Sequence, residues 1–505
     1  MRRASSVLLS LLPLFALACN GQSSAAPPDD DGGTGDGGPT TFLYTPKGCS
    51  YSFEPQASLG FKNLALDDTG AVSATNGVPQ RVRLGLGGGV AKGKPGYADP
   101  TTTAAFTWET AEANHAAKVR FGTSASAMTS TQSGYAWTVP ASIGPATNLH
   151  EVHVCGLTPG TTYYYQVGGG PSGSEVWSAT QSFTTLPTSG TIKIGIFGDA
   201  RDNDTVWQIV HQRMKELAVD IMLVPGDVVD LGADEGQYQN WLDSIWKDPK
   251  NPGQFLTLGQ QLIVPIDGNH ENDSVQSFAN WAIPSDSQHP HPETYASLDV
   301  GSVHFVLIDD LYVSQIVGKS VPTEAADQLT WLNADLTAAD ADRTAHPFIV
   351  ALSHRGLYST SLHSADGDVI ATRGALAPLY DKYKVDLAFN GHDHEYERSY
   401  PLHANTTDPT KAPTVGMGMP WTQYIINAGA GADPYGLQGS VQPYSAKQQY
   451  FCGKATACAQ YPYIGLYSVL TATSSSLTMD AYGIVPGATT YMSDTKIDTV
   501  TVNPQ

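Results

Sequence analysis

The sequence predicts an all-β sandwich followed by a layered α/β domain, and three observations carry that prediction. Between residues 79 and 187 the chain is a series of short alternating strands separated by turn clusters. From Thr191 onward strands and amphipathic helices alternate, the signature of a layered α/β unit. Five apolar strands of that second region run straight into short polar phrases.

The chain of 505 residues is too long for one core, so more than one domain is expected. Only 15% of residues are charged, while 50 Gly, 33 Pro and 24 Tyr favour a loop-rich and strand-rich extracytoplasmic protein. A net charge of −21 suits solubility and opposes a nucleic-acid backbone, so no nucleic-acid surface is expected. An anionic substrate would have to be drawn in by bound cations.

Residues 1–19 read as an export signal: Arg2 and Arg3, an apolar stretch over 7–15, then Ala16-Leu17-Ala18-Cys19. This resembles a bacterial lipoprotein signal, with Cys19 as the lipidated residue. Ala16 stands where that pattern usually has Leu, which leaves periplasmic or plain secreted protein as the alternative. The stretch is too short to span a bilayer, so membrane association would come only through a lipid anchor at Cys19. Residues 20–41 are rich in Ser, Pro, Asp and Gly and are expected as a disordered linker. Residues 42–78 are an N-terminal extension. Setting Cys19 aside, Cys452 and Cys458 are close enough to staple one loop, and Cys49 with Cys155 is the default second bridge.

In the sandwich, 105–108, 118–122 and 148–154 are short alternating strands. The phrase Gly156-Leu157-Thr158-Pro159-Gly160-Thr161-Thr162-Tyr163 resembles fibronectin type III domains, and specifically the small N-terminal domain of purple acid phosphatases. In the α/β region, which runs over 191–485, strands are expected at 192–197, 221–224, 262–266, 348–352 and 385–389. Helices are expected at 206–217, 238–246, 324–336 and 376–383, an antiparallel pair at 294–308, and a closing pair around 466–470 and 476–482. Residues 486–505 are expected as a C-terminal tail.

The polar phrases carry the chemistry. They are Gly198-Asp199, Gly226-Asp227, Gly268-Asn269-His270-Glu271, His354 after Ser353, and Gly391-His392-Asp393-His394. Sites in α/β sheets form beyond the carboxyl ends of the strands, so these ends would bring two Asp, one Asn and three His to one crevice. If 391–394 is extended, His392 and His394 point to the same side. Carboxylate oxygens mixed with imidazoles suit Zn, Fe or Mn, and six donors exceed what one open site takes. Two ions sharing a carboxylate fit better.

The ordered set resembles the calcineurin-like metallophosphoesterases, and with the preceding sandwich it is similar to their purple acid phosphatase branch. The resemblance implies a layered αββα catalytic sandwich and a binuclear hydrolase of phosphate monoesters that works through a metal-activated hydroxide. It implies Asp227 as the bridging ligand, Asp199 and His394 on the first metal, and Asn269, His354 and His392 on the second. His270 would stand at the leaving group, oriented by Glu271 or Asp393, and His363 would face the phosphate. Two positions depart from the family. Asp230 stands where purple acid phosphatases have the tyrosine that colours ferric iron, and Arg201 stands where other members carry a histidine. Asp230, Asn203 or water could fill the first site, and Arg201 could meet either the phosphate or a nearby Asp. The alternatives are a phosphodiesterase or nucleotide hydrolase on the same metals, and a surface binding protein whose metal site has decayed.

Overall fold

The computed structural model describes residues 43–55, 62–65, 72–88, 98–112, 116–139, 143–201, 204–251, 254–285, 290–435, 440–453 and 461–505. The expected signal, the 20–41 linker, Cys19, Asn203 and Cys458 lie outside these residues. Cys452 is disulfide-bonded, and Cys49 pairs with Cys155 across 106 residues of sequence. Among the described residues no helix is long and apolar enough to cross a membrane.

Two antiparallel sheets form the first layer pair. One orders its strands Lys62–Ala65, Tyr135–Val139, Thr147–Val154, Ala104–Thr110 and Gln80–Gly85. The other orders Gln181–Thr184, Thr162–Gly169, Lys118–Gly122 and Ser130–Ser133. Phe106, Trp108, Val152, Tyr165 and Phe183 alternate inward from both sheets and fill the space between them. The N-terminal extension is no free arm. Its strand Lys62–Ala65 pairs with Tyr135–Val139, and Tyr44, Tyr51 and Phe53 bury themselves against Tyr135, Trp137 and Phe278.

The sandwich is pinned to the α/β unit by polar groups. Arg83 is 1% exposed and donates to Glu109 at 2.9 Å, to the Asn280 carbonyl at 2.8 Å and to Asn280 Oδ1 at 2.9 Å. Arg81 makes a two-pronged bond to Asp243, both arms at 2.8 Å.

The α/β unit is two packed mixed sheets flanked by helices. A six-stranded sheet orders Leu262–Pro265, Ile221–Val224, Ile192–Ile196, Leu466–Ala472, Leu477–Gly483 and Thr495–Val502. A seven-stranded sheet orders Ala296–Val300, Val303–Leu307, Phe348–Leu352, Leu387–Asn390, Gln423–Asn427, Tyr396–Ser399 and Ser445–Gln449. The first three strands of one sheet are parallel, and so are the four from Val303–Leu307 to Gln423–Asn427 in the other. Their carboxyl ends open on one crevice.

Three sequence expectations change. Residues 486–505 are not a tail, because Thr495–Val502 extends the six-stranded sheet and turns Ile497, Val500 and Val502 onto the core. The helix expected at 376–383 runs over Gly367–Tyr383. Its apolar residues do not gather on one face, and Gly374 and Pro378 interrupt the helical reading, so its first turns carry no amphipathic signal. Third, 391–394 is a turn rather than an extended strand: His392 has φ 72°, in the left-handed region.

Candidate metal centre

Each donor follows a strand end, and the backbone there is bent as few residues tolerate. Asp199, Asp227 and His392 have φ of 60°, 54° and 72°. Left-handed non-glycine residues persist only where their surroundings over-determine them, and they cluster at functional sites. The glycines before them allow the strand ends to close together. A Cβ on Gly391 would sit 2.5 Å from Asp199 Oδ2 and 2.7 Å from the Pro225 carbonyl. Gly226 has φ 87°, and a Cβ there would meet His354 Nδ1 at 2.6 Å.

The six side chains converge as two groups that share Asp227. Asp199, Asp227 and His394 are buried and offer donor atoms all within 4.8 Å of one another. On the other side Asn269 Oδ1 lies 3.0 Å from His354 Nε2 and 2.8 Å from His392 Nδ1. Asp227 Oδ1 stands 3.3 Å from His354 Nε2 and joins the groups. The two histidines of 391–394 therefore enter different groups, because the turn at His392 breaks the same-side geometry of a strand.

Backbone carbonyls set the imidazoles. His394 Nδ1 donates to the Asp433 carbonyl at 2.6 Å, which leaves its Nε2 as the free lone pair, and His354 Nδ1 donates to that of Pro225 at 2.8 Å. Glu271 braces the Asp227 turn, accepting from the backbone N–H of Asp227 and Gly268 at 2.8 Å, Val228 at 2.9 Å and Val229 at 3.1 Å.

The electrostatics call for cations. Burial pushes the Asp199 carboxyl well up. Burial would also push His354 down, yet the Asp227 and Asp199 carboxylates carry it up to about 10, so the site draws positive charge to itself. Burial holds His394 down at about 3 and lowers His392, keeping both imidazoles neutral and able to ligate. Asp199 Oδ2, His392 Nε2 and His394 Nε2 are buried with no hydrogen-bond partner. Orphaned oxygens and imidazole nitrogens at this spacing fit metal ions of the Zn, Fe or Mn class.

Residues 192–396 match the family model "Calcineurin-like phosphoesterase", and residues 94–185 match "Purple acid Phosphatase, N-terminal domain". Residues 192–396 are thus similar to the calcineurin-like phosphoesterases. Purple acid phosphatase 21 of Arabidopsis thaliana is 31% identical over 272 residues, covering 52% of this chain and 55% of that protein. The chain thus spans about half the length of the curated relatives it matches. Among solved structures, a purple acid phosphatase from yellow lupin seeds, PPD1, superposes with a TM-score of 0.62 at 18% identity, over 85% of this chain and 74% of that one. PhoD superposes with a TM-score of 0.53 at 12% identity, over 86% and 92%. These likenesses show the fold, a purple acid phosphatase-type arrangement, and the family is one of binuclear metal enzymes.

Around the centre, the chain departs from the family pattern on one side. Asp230, at the purple acid phosphatase tyrosine position, is 54% exposed and lies 3.8 Å from Arg201 Nη1 and 3.5 Å from His270 Nδ1, at the rim. Arg201 points inward and donates to Asp227 Oδ2 at 3.2 Å, so of its two expected partners it meets the nearby Asp. His270 Nδ1 donates to the Asp230 carbonyl at 2.6 Å, with Nε2 turned toward Asp227 Oδ2 at 3.9 Å. The expected orienting groups are engaged elsewhere: Glu271 holds the four N–H groups, and Asp393 accepts from the His363 N–H at 3.1 Å. His363 Nδ1 faces Asp366 at 2.8 Å, and its ring lies 4.4 Å from that of His392.

Sequence reasoning missed Tyr435. Its ring stacks on His394 at 4.0 Å, meets His363 edge-on at 5.1 Å, and its hydroxyl lies 3.3 Å from Arg201 Nη2. The topology brings it there, because Gln423–Asn427 is one more parallel strand whose end opens on the crevice. The Gly-rich turn after it bonds back to the first site turn, with Ala430 N to Gly198 O at 3.0 Å and Ala432 N to Asp199 O at 2.9 Å.

Proposed function

We propose that this protein hydrolyses phosphate monoesters at two metal ions held by Asp199, Asp227 and His394 on one side and Asn269, His354 and His392 on the other. The observation that carries the reading is the convergence of those six donors on Asp227 from five strand ends, with three of their atoms buried and unpartnered. When bound, such ions act as Lewis acids on phosphoryl oxygens and lower the pKa of a bound water.

The chain's own residues do the rest. His270, tethered through Nδ1 to the Asp230 carbonyl, presents Nε2 to protonate the departing alkoxide. His363, fixed through Nδ1 by Asp366, leaves Nε2 to hold a non-bridging phosphate oxygen. Arg201 adds a guanidinium beside Asp227 and draws the anion inward against a net charge of −21. The test compares initial rates on a monoester and a diester with the same leaving group. Faster monoester turnover is expected, and faster diester turnover would overturn the monoester reading in favour of a phosphodiesterase.

Export belongs to the same proposal, with Cys19 as the anchored residue. The Cys49–Cys155 bridge supports an oxidising compartment. Mass spectrometry of the mature N-terminus tests it: a lipid-modified Cys19 is expected, and an intact Met1 in exported protein would contradict it.

A further inference from the structure

Tyr435 sits where three parts of the centre meet. Its ring covers His394 at an interplanar angle of 16°, so it is parallel to the imidazole of the Asp199 side, and it stands at 77° to His363 on the other. It is only half-buried, at the mouth of the crevice. Arg201 Nη2 donates both to Asp227 Oδ2 at 3.2 Å and to the Tyr435 hydroxyl oxygen at 3.3 Å. A guanidinium has no acceptor, so in that contact the phenol oxygen accepts. The hydroxyl keeps its own proton for another partner, and among the described residues it donates to none that the structure records.

We propose that Tyr435 is a substrate-binding residue, whose hydroxyl donates to a non-bridging oxygen of the bound phosphoester on the Asp199 and His394 side, opposite His363. The inference rests on the phosphoesterase reading of the site. Asp230, at the position where the family's tyrosine stands, is turned to the rim, and the inner side of Asp227 is taken by Arg201. Arg201 serves two ends: it lies against the shared carboxylate and it aims the phenol. The stacked ring also limits the rotation of His394 about the axis set by its Asp433 bond. Tyr435 thus meets substrate from one strand end, while His270 and His363 meet it from two others.

Metal-loaded parent protein and Tyr435→Phe are compared by calorimetric titration with inorganic phosphate, alongside metal analysis and steady-state rates on a small monoester. Phenylalanine keeps the ring stack and removes only the hydroxyl. The expected result is an unchanged metal content, phosphate affinity weaker by about tenfold, the weight of one hydrogen bond to a charged group, and KM raised by the same factor with kcat less affected. Equal phosphate affinity in the two proteins would overturn the inference and leave the phosphoesterase reading standing. A loss of bound metal in Tyr435→Phe would also overturn it, by showing a role in holding the metal side chains. Parent protein that neither binds phosphate nor hydrolyses the monoester would overturn both readings. Arg201→Lys adds a second arm: it retains the charge but loses the two-directional donor, so it should weaken phosphate binding in the parent and add little in the Tyr435→Phe background.

Discussion

Glu271 Oε2 accepts the backbone N–H of Asp227 at 2.8 Å, and the same carboxylate holds three further N–H groups of the two neighbouring turns. This one side chain keeps Asp227 in its left-handed conformation beneath both donor groups. Glu271→Gln turns one acceptor oxygen into a donor facing N–H groups. It should lower unfolding stability by roughly 2–3 kcal/mol and metal affinity by about ten- to a hundredfold. Urea unfolding of metal-free protein and competition with a metal indicator check the two effects separately.

The two histidines of residues 391–394 should not be equivalent. Removing His394 leaves Asp199 and Asp227 on its side, whereas removing His392 leaves Asn269, His354 and Asp227. His394→Ala should therefore release about one ion per chain, and His392→Ala clearly less. Metal analysis after dialysis reads the difference, and equal losses would contradict the pairing.

Most of the centre was legible because apolar runs end in residue types that coordinate metals, as at Ile221–Val224 before Gly226-Asp227. What escaped has no side-chain signature. The group that orients His270 is the Asp230 carbonyl, and the one that orients His394 is the Asp433 carbonyl; any residue could supply either. Tyr435 stands eight residues beyond its strand, after a Gly-rich turn, where no periodicity marks it. The strand Thr495–Val502 was hidden for another reason: it lies at a sheet edge with one face in solvent, and threonines fill the places where a buried strand would show apolar residues.

Stability should fall at alkaline pH through His304, which is not one of the donor residues. Burial would lower this imidazole, but Asp335 at 2.8 Å and Asp299 at 2.9 Å raise it to about 9 from an ordinary 6.5. A raised histidine contributes stability that is fully present below pH 6.5 and is lost as pH climbs through 9. The contribution is at most about 3 kcal/mol. Denaturant unfolding at several pH values in that window checks it, and His304→Gln should flatten the profile.

The Arg83 pin predicts a strong dependence of the sandwich on the α/β unit. Arg83→Ala leaves Glu109 buried with one guanidinium fewer and strips Asn280 of two donors, which should cost roughly 3–5 kcal/mol. Thermal unfolding together with limited proteolysis between residues 185 and 192 would register it.

With Asp230 in place of the tyrosine, iron-loaded protein should show no purple charge-transfer band, and its appearance would mean that another tyrosinate reaches the metal.

The central claim is a two-metal phosphomonoesterase, and one experiment addresses it directly: metal content and monoester hydrolysis measured on the same sample before chelation, after chelation and after re-addition of Zn, Mn or Fe. The account predicts about two ions per chain, activity lost with them and regained with them. Fewer than two ions, with no hydrolysis after any of the three metals is supplied, would contradict it and leave a binding protein with a decayed site.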